Sequence, residues 1–369
     1  MRILVTGANG FVGQNLIVEL KNQNEHEIYA FDIDTPKELL SEYCRKAEFV
    51  FHLAGVNRPK NNTEFMAGNY GFTSELLNLL KQANNTCPVM LSSSIQAELA
   101  NPYGESKRAG EEALSAYQKE TGAEVYIYRF SNLYGKWSRP NYNTVVATFC
   151  YKIARNEEII VNDPSSMIDL CYIDDVVKEL LNCLQGNPSI KEGYGFVNEI
   201  DRISVGELRD LISSFKQSRQ SLTLPQLDRR IEKNLYSTYL SFLPEDQFSY
   251  PLKMNVDQRG SFTEFLRTSD RGQVSINISK PGITKGNHWH HTKNEKFLVV
   301  NGTGVIRFRK IDTDEVIEYF VSGDKLEVVD IPVGYTHNIE NLGNSDMVTV
   351  MWVNESFDPK RPDTYYVEV

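Results

Sequence analysis

Paired cysteine is the clearest shortage in this chain. Its five cysteines, Cys44, Cys87, Cys150, Cys171 and Cys183, are odd in number, scattered and confined to the first half. No disulfide framework follows from that pattern. Reduced, buried thiols in a cytoplasmic protein are the expectation. Positive charge is short as well: 39 Lys and Arg face 49 Asp and Glu, for a net charge of -10, and no long basic run is present. That argues against nucleic acid as a partner. No apolar stretch is long enough to span a bilayer, and the opening Met1-Arg2-Ile3-Leu4-Val5 reaches a turn at Gly7. Neither membrane insertion nor a signal peptide is expected. Internal repeats and low-complexity tracts are missing too. What the 369 residues do offer is room for two globular domains.

The first domain opens with nucleotide-binding chemistry. Ile3-Leu4-Val5 is a short apolar run, as in a buried parallel strand. Thr6-Gly7-Ala8-Asn9-Gly10-Phe11-Val12-Gly13 follows, and a helical pattern then carries Phe11, Leu16, Ile17 and Leu20 inward. Glycines at this spacing permit a tight turn and let backbone approach a pyrophosphate at a helix N-terminus. The next strand, Ile28 to Phe31, ends at Asp32, from which a carboxylate reaches a ribose hydroxyl. Asp32 ordinarily repels the 2'-phosphate of NADP and favours NAD; Lys37 is a nearby cation able to offset that. Further on, Val89 to Ser94 reads as a strand ending in serines, and Tyr103 and Lys107 share one face of the following helix. An ammonium so placed lowers a phenol pKa, so that Tyr103 trades a proton near neutral pH. A serine hydroxyl from the strand end can hold the substrate oxygen.

Together these residues resemble the extended short-chain dehydrogenase/reductase family of nucleotide-sugar epimerases, dehydratases and reductases. The resemblance assigns cofactor contacts to Gly7, Asn9, Gly10, Phe11, Val12, Gly13 and Asp32. It adds Leu53, Ala54 and Gly55 at the end of a strand, then Asn69, Tyr103 and Lys107. The catalytic set becomes Ser94, Tyr103 and Lys107, with Ser93 as the neighbouring candidate. One departure stands out. Only 16 residues separate Asp32 from Phe49, and a helix over 36–46 fills them, so the family's usual third strand has little room. Arg129 to Gly135 and Asp169 to Val176 resemble later family segments. They put Asn132 near nicotinamide or sugar and give Asp174 and Asp175 the task of orienting a helix start. The loop 137–144 and Arg155 are suited to a sugar nucleotide. Ser204 and Glu207 form a capping box opening a helix over 205–219.

Periodicity then fades over 222–251, which contains Pro225, Pro244 and Pro251. A boundary near Pro244 gives domains 1–244 and 245–369. Beyond it, strands are predicted over 273–279, 297–300, 305–308, 316–321, 325–329 and 347–353, an antiparallel jelly roll. His288 and His290 stand two apart, so in a strand both face one side. With Glu295 and His337 they make a set of three imidazoles and a carboxylate. A borderline divalent metal takes such a set readily and keeps an open position.

Gly282, His288, His290, Glu295 and Gly302 resemble the first motif of the cupin family. Pro332, Gly334, His337 and Asn341 resemble the second, with Leu326 where a glycine is usual. The expected fold is therefore an α/β Rossmann-like doubly wound parallel sheet followed by an all-β cupin. Asp257 to Glu264 also resembles the opening of the deoxysugar 3,5-epimerases, which act on nucleotide-linked 4-keto-6-deoxyhexoses. In that alignment His288 falls on their catalytic histidine and Lys296 on a lysine of their site. His288 is then ligand or base. Lys296 is a candidate base, although in a regular strand it would face outward.

Both halves fit one substrate type, a UDP-linked 4-keto-6-deoxy amino sugar. The fusion is similar to the bifunctional epimerase/reductases of bacterial capsular polysaccharide synthesis. That resemblance implies C3 epimerisation of UDP-2-acetamido-2,6-dideoxy-lyxo-4-hexulose in the cupin. Reduction at C4 by NADPH in the Rossmann domain would then give UDP-2-acetamido-2,6-dideoxy-L-talose, toward UDP-N-acetyl-L-fucosamine. It also implies zinc as the metal and a homodimer. A second reading stays open: an NAD-dependent nucleotide-sugar 4-epimerase or dehydratase with a non-catalytic cupin dimerisation module.

Overall fold

The computed structural model describes residues 1–142 and 144–369; Asn143, in the loop expected to suit a sugar nucleotide, lies outside them. These residues divide into two compact units, Met1–Ser213 with Leu227–Pro244, and Ser214–Gln226 with Glu245–Val369. The segment Ser214–Gln226 groups with the second unit because it is hooked onto a strand end there. Thr223 bridges Arg267, the Leu224 N–H donates to the Arg267 carbonyl at 2.8 Å, and the Arg267 N–H donates to Leu222 at 2.7 Å.

In the first unit, β1 (Arg2–Thr6), β2 (Glu27–Phe31), β3 (Phe49–His52), β4 (Val89–Ser94) and β5 (Val125–Phe130) run parallel in the order β2-β1-β3-β4-β5. Successive side chains of a strand point to opposite faces. Ile3 and Val5 therefore enter a core with Leu16 and Leu20. Leu4 enters another with Leu76, Leu80 and Leu114. A strand buried on both faces must be apolar, and Ile3-Leu4-Val5 at the centre of β1 is. From Asp32 the chain passes through the helix Lys37–Lys46 into β3, on the far side of β1. β2 is thus the sheet edge, and the family's usual third strand has no counterpart among the described residues. A smaller sheet joins Asp201–Ser204, Met167–Tyr172 and Asn132–Tyr134. Asp174 and Asp175 lie in the first turn of the helix Ile173–Leu184, as expected, and pair with Lys136 and Arg230. The Ser204 hydroxyl accepts the Glu207 N–H at 3.1 Å at the head of the helix Val205–Ser221. Among the described residues no helix is long and apolar enough to cross a membrane.

The second unit is two antiparallel sheets. The six-stranded one runs Met254–Asp257, Gly260–Arg267, Gln273–Ser279, Met347–Val353, Glu295–Asn301, Val328–Ile331. The five-stranded one runs Val316–Ser322, Thr303–Lys310, Tyr335–Asn341, Thr284–Trp289, Tyr365–Tyr366. The strand expected over 325–329 starts only at Val328, because the chain is still turning: the Lys325 N–H donates back to Ser322 at 3.3 Å. Phe297, Val299, Ile306, Phe308, Ile339 and Met347 form an apolar core. Beside that core the six-stranded sheet also buries polar side chains, among them Ser261, Ser275 and Asn277. That split leaves a polar wall for a cavity.

Candidate functional site

Gly7 turns the chain at φ +68°, and a Cβ there would lie 2.7 Å from the Ala54 nitrogen. Glycine alone meets both conditions. The helix Phe11–Gln23 that follows has no acidic residue in its first turn and no side-chain cap. Its first N–H groups are open to an anion such as a pyrophosphate. Asn9, Gly10, Phe11 and Val12 make up the turn and helix start, and Gly13 packs where a Cβ would lie 2.2 Å from the Gly7 carbonyl. The Asp32 carboxylate reaches back to this loop and accepts the Asn9 N–H at 2.7 Å. Leu53 and Ala54 run against Gly7, while Gly55 lies against Asn69 and Lys107.

Asn69 occupies a π-helical turn, Met66–Gly71, an irregularity frequent at functional sites. Its amide accepts the Val56 N–H at 2.8 Å and donates to the Ser106 hydroxyl at 2.9 Å. The helix Pro102–Thr121 begins sharply, with Asn101 accepting the Gly104 N–H at 2.8 Å and proline at the first position. Tyr103 and Lys107 thereby share one face. The Lys107 ammonium donates to the Ser92 carbonyl at 3.1 Å and lies 5.9 Å from the Tyr103 ring centre. Ser94 hydrogen-bonds Tyr103, whereas Ser93 is turned to the buried Glu111. Of the two serines, Ser94 is the one aimed at the tyrosine.

Electrostatics correct one expectation here. Burial holds the Tyr103 phenol above its ordinary value, and the Ser94 hydrogen bond offsets only part of that. Lys107 does not dominate. Burial draws Lys107 itself down to about 8, against the pull of Glu111. Asn132 donates to the Asp169 carbonyl at 3.1 Å, and Arg155 donates to Phe242 at 3.0 Å, so both are engaged in loop structure. His52 was not singled out by sequence. Buried and drawn down to about 3 by burial and then by Lys107, it joins Thr6 at 2.7 Å to Thr73 at 2.8 Å. Its signal was a lone imidazole inside the apolar run Phe49 to Leu53.

The second unit holds a cavity of about 580 Å³, lined by Asp257, Arg259, Lys285 and Lys293 and by the four predicted metal ligands. His288 comes from the strand Thr284–Trp289, which bulges between Gly286 and His288, and His290 lies one residue past its end. The bulge precedes both histidines, so alternation still holds between them and sets them on one side. The bulge re-aims the chain, and the two rings converge to 4.9 Å between centres. His337, from Tyr335–Asn341, lies 4.6 Å from His288 and 5.6 Å from His290 by ring centre. One ligand atom from each of His288, His290, Glu295 and His337 lies within 4.8 Å of the others.

These residues fit a divalent metal. His290 Nε2, Glu295 Oε2 and His337 Nε2 are buried and face one another, Glu295 Oε2 at 3.5 Å from His290 and 3.1 Å from His337, with no other hydrogen-bond partner among the described residues. Orphaned groups of this kind are costly unless something answers them. Burial alone would raise the Glu295 carboxyl, yet His290 and His337 hold it at about 2. Burial and then His337 bring His288 to about 4. Burial lowers His290, but its hydrogen bonds to Glu295 and to the Asp363 backbone raise it overall; a metal takes the carboxylate charged and the imidazoles neutral.

Lys296 is a correction. It follows Glu295 along the strand, so its side chain takes the opposite face. It is half-exposed and paired with Asp330. The lysines that face the cavity are Lys285, which donates to Asn277 Oδ1 at 2.8 Å, and the buried Lys293.

The NAD dependent epimerase/dehydratase family model matches residues 3–194. The chain belongs to this family. Membership implies a nicotinamide cofactor, and the glycine turn, the open helix N-terminus and Asp32 are the features of the first unit that suit one. A second model, the polysaccharide biosynthesis C-terminal domain, matches residues 255–365. The chain is 46% identical over 369 residues to a Pseudomonas aeruginosa protein named UDP-2-acetamido-2,6-beta-L-arabino-hexul-4-ose reductase, with 100% of this chain and 99% of that one covered. The crystal structure of the capsular polysaccharide assembling protein CapF from Staphylococcus aureus matches with a TM-score of 0.95 and 60% identity, over 100% of both chains. A Bacillus cereus UDP-glucuronic acid 4-epimerase, solved with UDP-glucuronic acid and NAD, matches 66% of this chain and 99% of that one at 17% identity and a TM-score of 0.55, a likeness of fold.

Proposed function

We propose that this chain is a bifunctional nucleotide-sugar enzyme acting on a UDP-linked 4-keto-6-deoxy amino sugar. The second unit epimerises C3 of UDP-2-acetamido-2,6-dideoxy-lyxo-4-hexulose. The first unit then reduces C4, giving UDP-2-acetamido-2,6-dideoxy-L-talose for capsular polysaccharide. The observation that carries this reading is the presence, in one chain, of a tyrosine–lysine pair beside a glycine turn and of a partly buried cluster of four candidate metal ligands lining a cavity. The Pseudomonas relative's name, a reductase of a UDP-linked hexul-4-ose, supports the substrate class.

NADPH held at the glycine turn would supply the hydride for C4. The Tyr103 hydroxyl gives its proton to the carbonyl oxygen, so ketone becomes alcohol as the nicotinamide is oxidised. Ser94 orients that oxygen, and Lys107 with Asn69 keeps Tyr103 and the strand ends in place. His288, His290, Glu295 and His337 would hold zinc, whose chemistry when bound is Lewis-acid polarisation of the C4 ketone. Loss of the neighbouring C3 proton then falls to a group facing the cavity rather than to Lys296.

The test is an assay of the intact protein with the UDP-4-keto sugar and either NADPH or NADH. Net oxidation of NADPH with formation of the 4-hydroxy product is expected. Turnover with no net cofactor oxidation would instead support an internal redox cycle, as in a 4-epimerase.

A further inference from the structure

The metal cluster is braced from outside by a segment far along the chain. His291, Thr292 and Lys293 follow directly on the ligand His290. Their three N–H groups converge on the Asp363 carboxylate, at 3.0, 2.9 and 3.0 Å, and the Thr292 hydroxyl adds a fourth bond at 3.0 Å. The backbone carbonyl of the same Asp363 lies 2.6 Å from His290 Nδ1. A carbonyl only accepts, so Nδ1 carries the proton and the lone pair is on Nε2. That Nε2 faces Glu295 Oε2 at 3.5 Å. Asp363 itself has φ +38°, a backbone state uncommon outside glycine, which Asp adopts more readily than most residues.

The rest of the segment continues the brace. The Pro362 carbonyl accepts the buried Lys293 ammonium at 2.6 Å. Tyr365 and Tyr366 pair with Trp289 and His288. The Thr336 hydroxyl, next to His337, donates to the Val367 carbonyl.

We infer that Asp363 is a positioning residue for the metal: its carboxylate fixes the loop after His290 while its carbonyl fixes the tautomer of His290. The inference rests on the reading that the four clustered residues hold a divalent metal. The Asp363 carboxylate acts through the loop, whereas the carbonyl bonds His290 directly.

The test uses the full-length protein, stripped of metal and titrated with zinc against a chromophoric chelator. Asp363→Ala leaves three N–H groups without their acceptor, and zinc affinity is expected to fall about 10- to 100-fold, the usual cost of losing an outer-shell partner. Cobalt loaded in place of zinc should show an altered visible spectrum in the same variant, which a loss of stability alone would not produce. Asp363→Asn keeps one acceptor oxygen and should recover part of the affinity. Glu368→Gln, on the same segment but bonded through its side chain to the Tyr366 hydroxyl, should bind zinc as wild type does. Wild-type zinc affinity in Asp363→Ala would overturn the inference, as would an equal loss in Glu368→Gln. If Asp363→Ala does not fold, Asp363→Asn decides: weakened binding supports the brace and unchanged binding refutes it. Failure of the wild-type protein to bind zinc would sink the metal reading itself, a separate result.

Discussion

Replacing Tyr103 by phenylalanine is expected to slow ketone reduction by about 10²- to 10⁴-fold, the range a positioned proton donor contributes. The ring and its packing against Phe65, 5.5 Å away by centre, survive the change. Only the hydroxyl beside Ser94 is lost. Cofactor binding should persist, because the glycine turn and Asp32 are untouched. Exchange of the C3 hydrogen with solvent should also persist, since His288, His290, Glu295 and His337 belong to the other unit. The wild-type profile carries a second mark. Lys107 is charged below about 8 and neutral above it, so reduction is expected to fall as pH rises through that value. Loss of reduction and exchange together in Tyr103→Phe would contradict the division of labour.

Glu295→Ala is the converse experiment. It removes the one carboxylate from a set otherwise made of imidazoles, and with it the group 3.1 Å from His337 Nε2. Zinc retention should drop, and C3 exchange with it. The expected loss of exchange is on the order of 10³-fold, since Lewis-acid stabilisation of developing charge is worth several kcal/mol. Reduction of a ketone that is already epimerised should stay near the wild-type rate. Dialysis against a chelator should reproduce the phenotype, and zinc should reverse it in wild type but not in the variant. A Glu295→Ala protein that exchanges C3 at the wild-type rate would remove the metal from the reaction.

Much of this was legible in the chain because the signals are local. Thr6 to Gly13 encodes a turn whose steric demands are met within a few residues. Pro102 and Asn101 mark the helix start that sets Tyr103 and Lys107 on one face. The spacing named four residues, His288, His290, Glu295 and His337, that the fold brings together. The strand bulges at Asn287, φ +60°, ahead of His288, and leaves the alternation rule intact from His288 to His290. The same rule correctly warned that Lys296 faces outward, where alignment had favoured it as a base.

What was not legible depends on distant partners. Asp363 lies 73 residues from His290, and nothing in its neighbourhood marks it. The raised Tyr103 pKa likewise follows from burial by the folded chain, whereas the i, i+4 spacing speaks only of Lys107. The join was obscured in the same way: Leu222 to Leu224 grips Arg267 through backbone bonds, which carry no side-chain signature.

The most direct test follows hydrogen through one turnover. The intact protein is given the UDP-4-keto sugar and protiated NADPH in heavy water, and the product is read by NMR. The account predicts deuterium at C3, protium from the cofactor at C4, and one cofactor oxidised per product. A reduced product that still carries protium at C3 would contradict it.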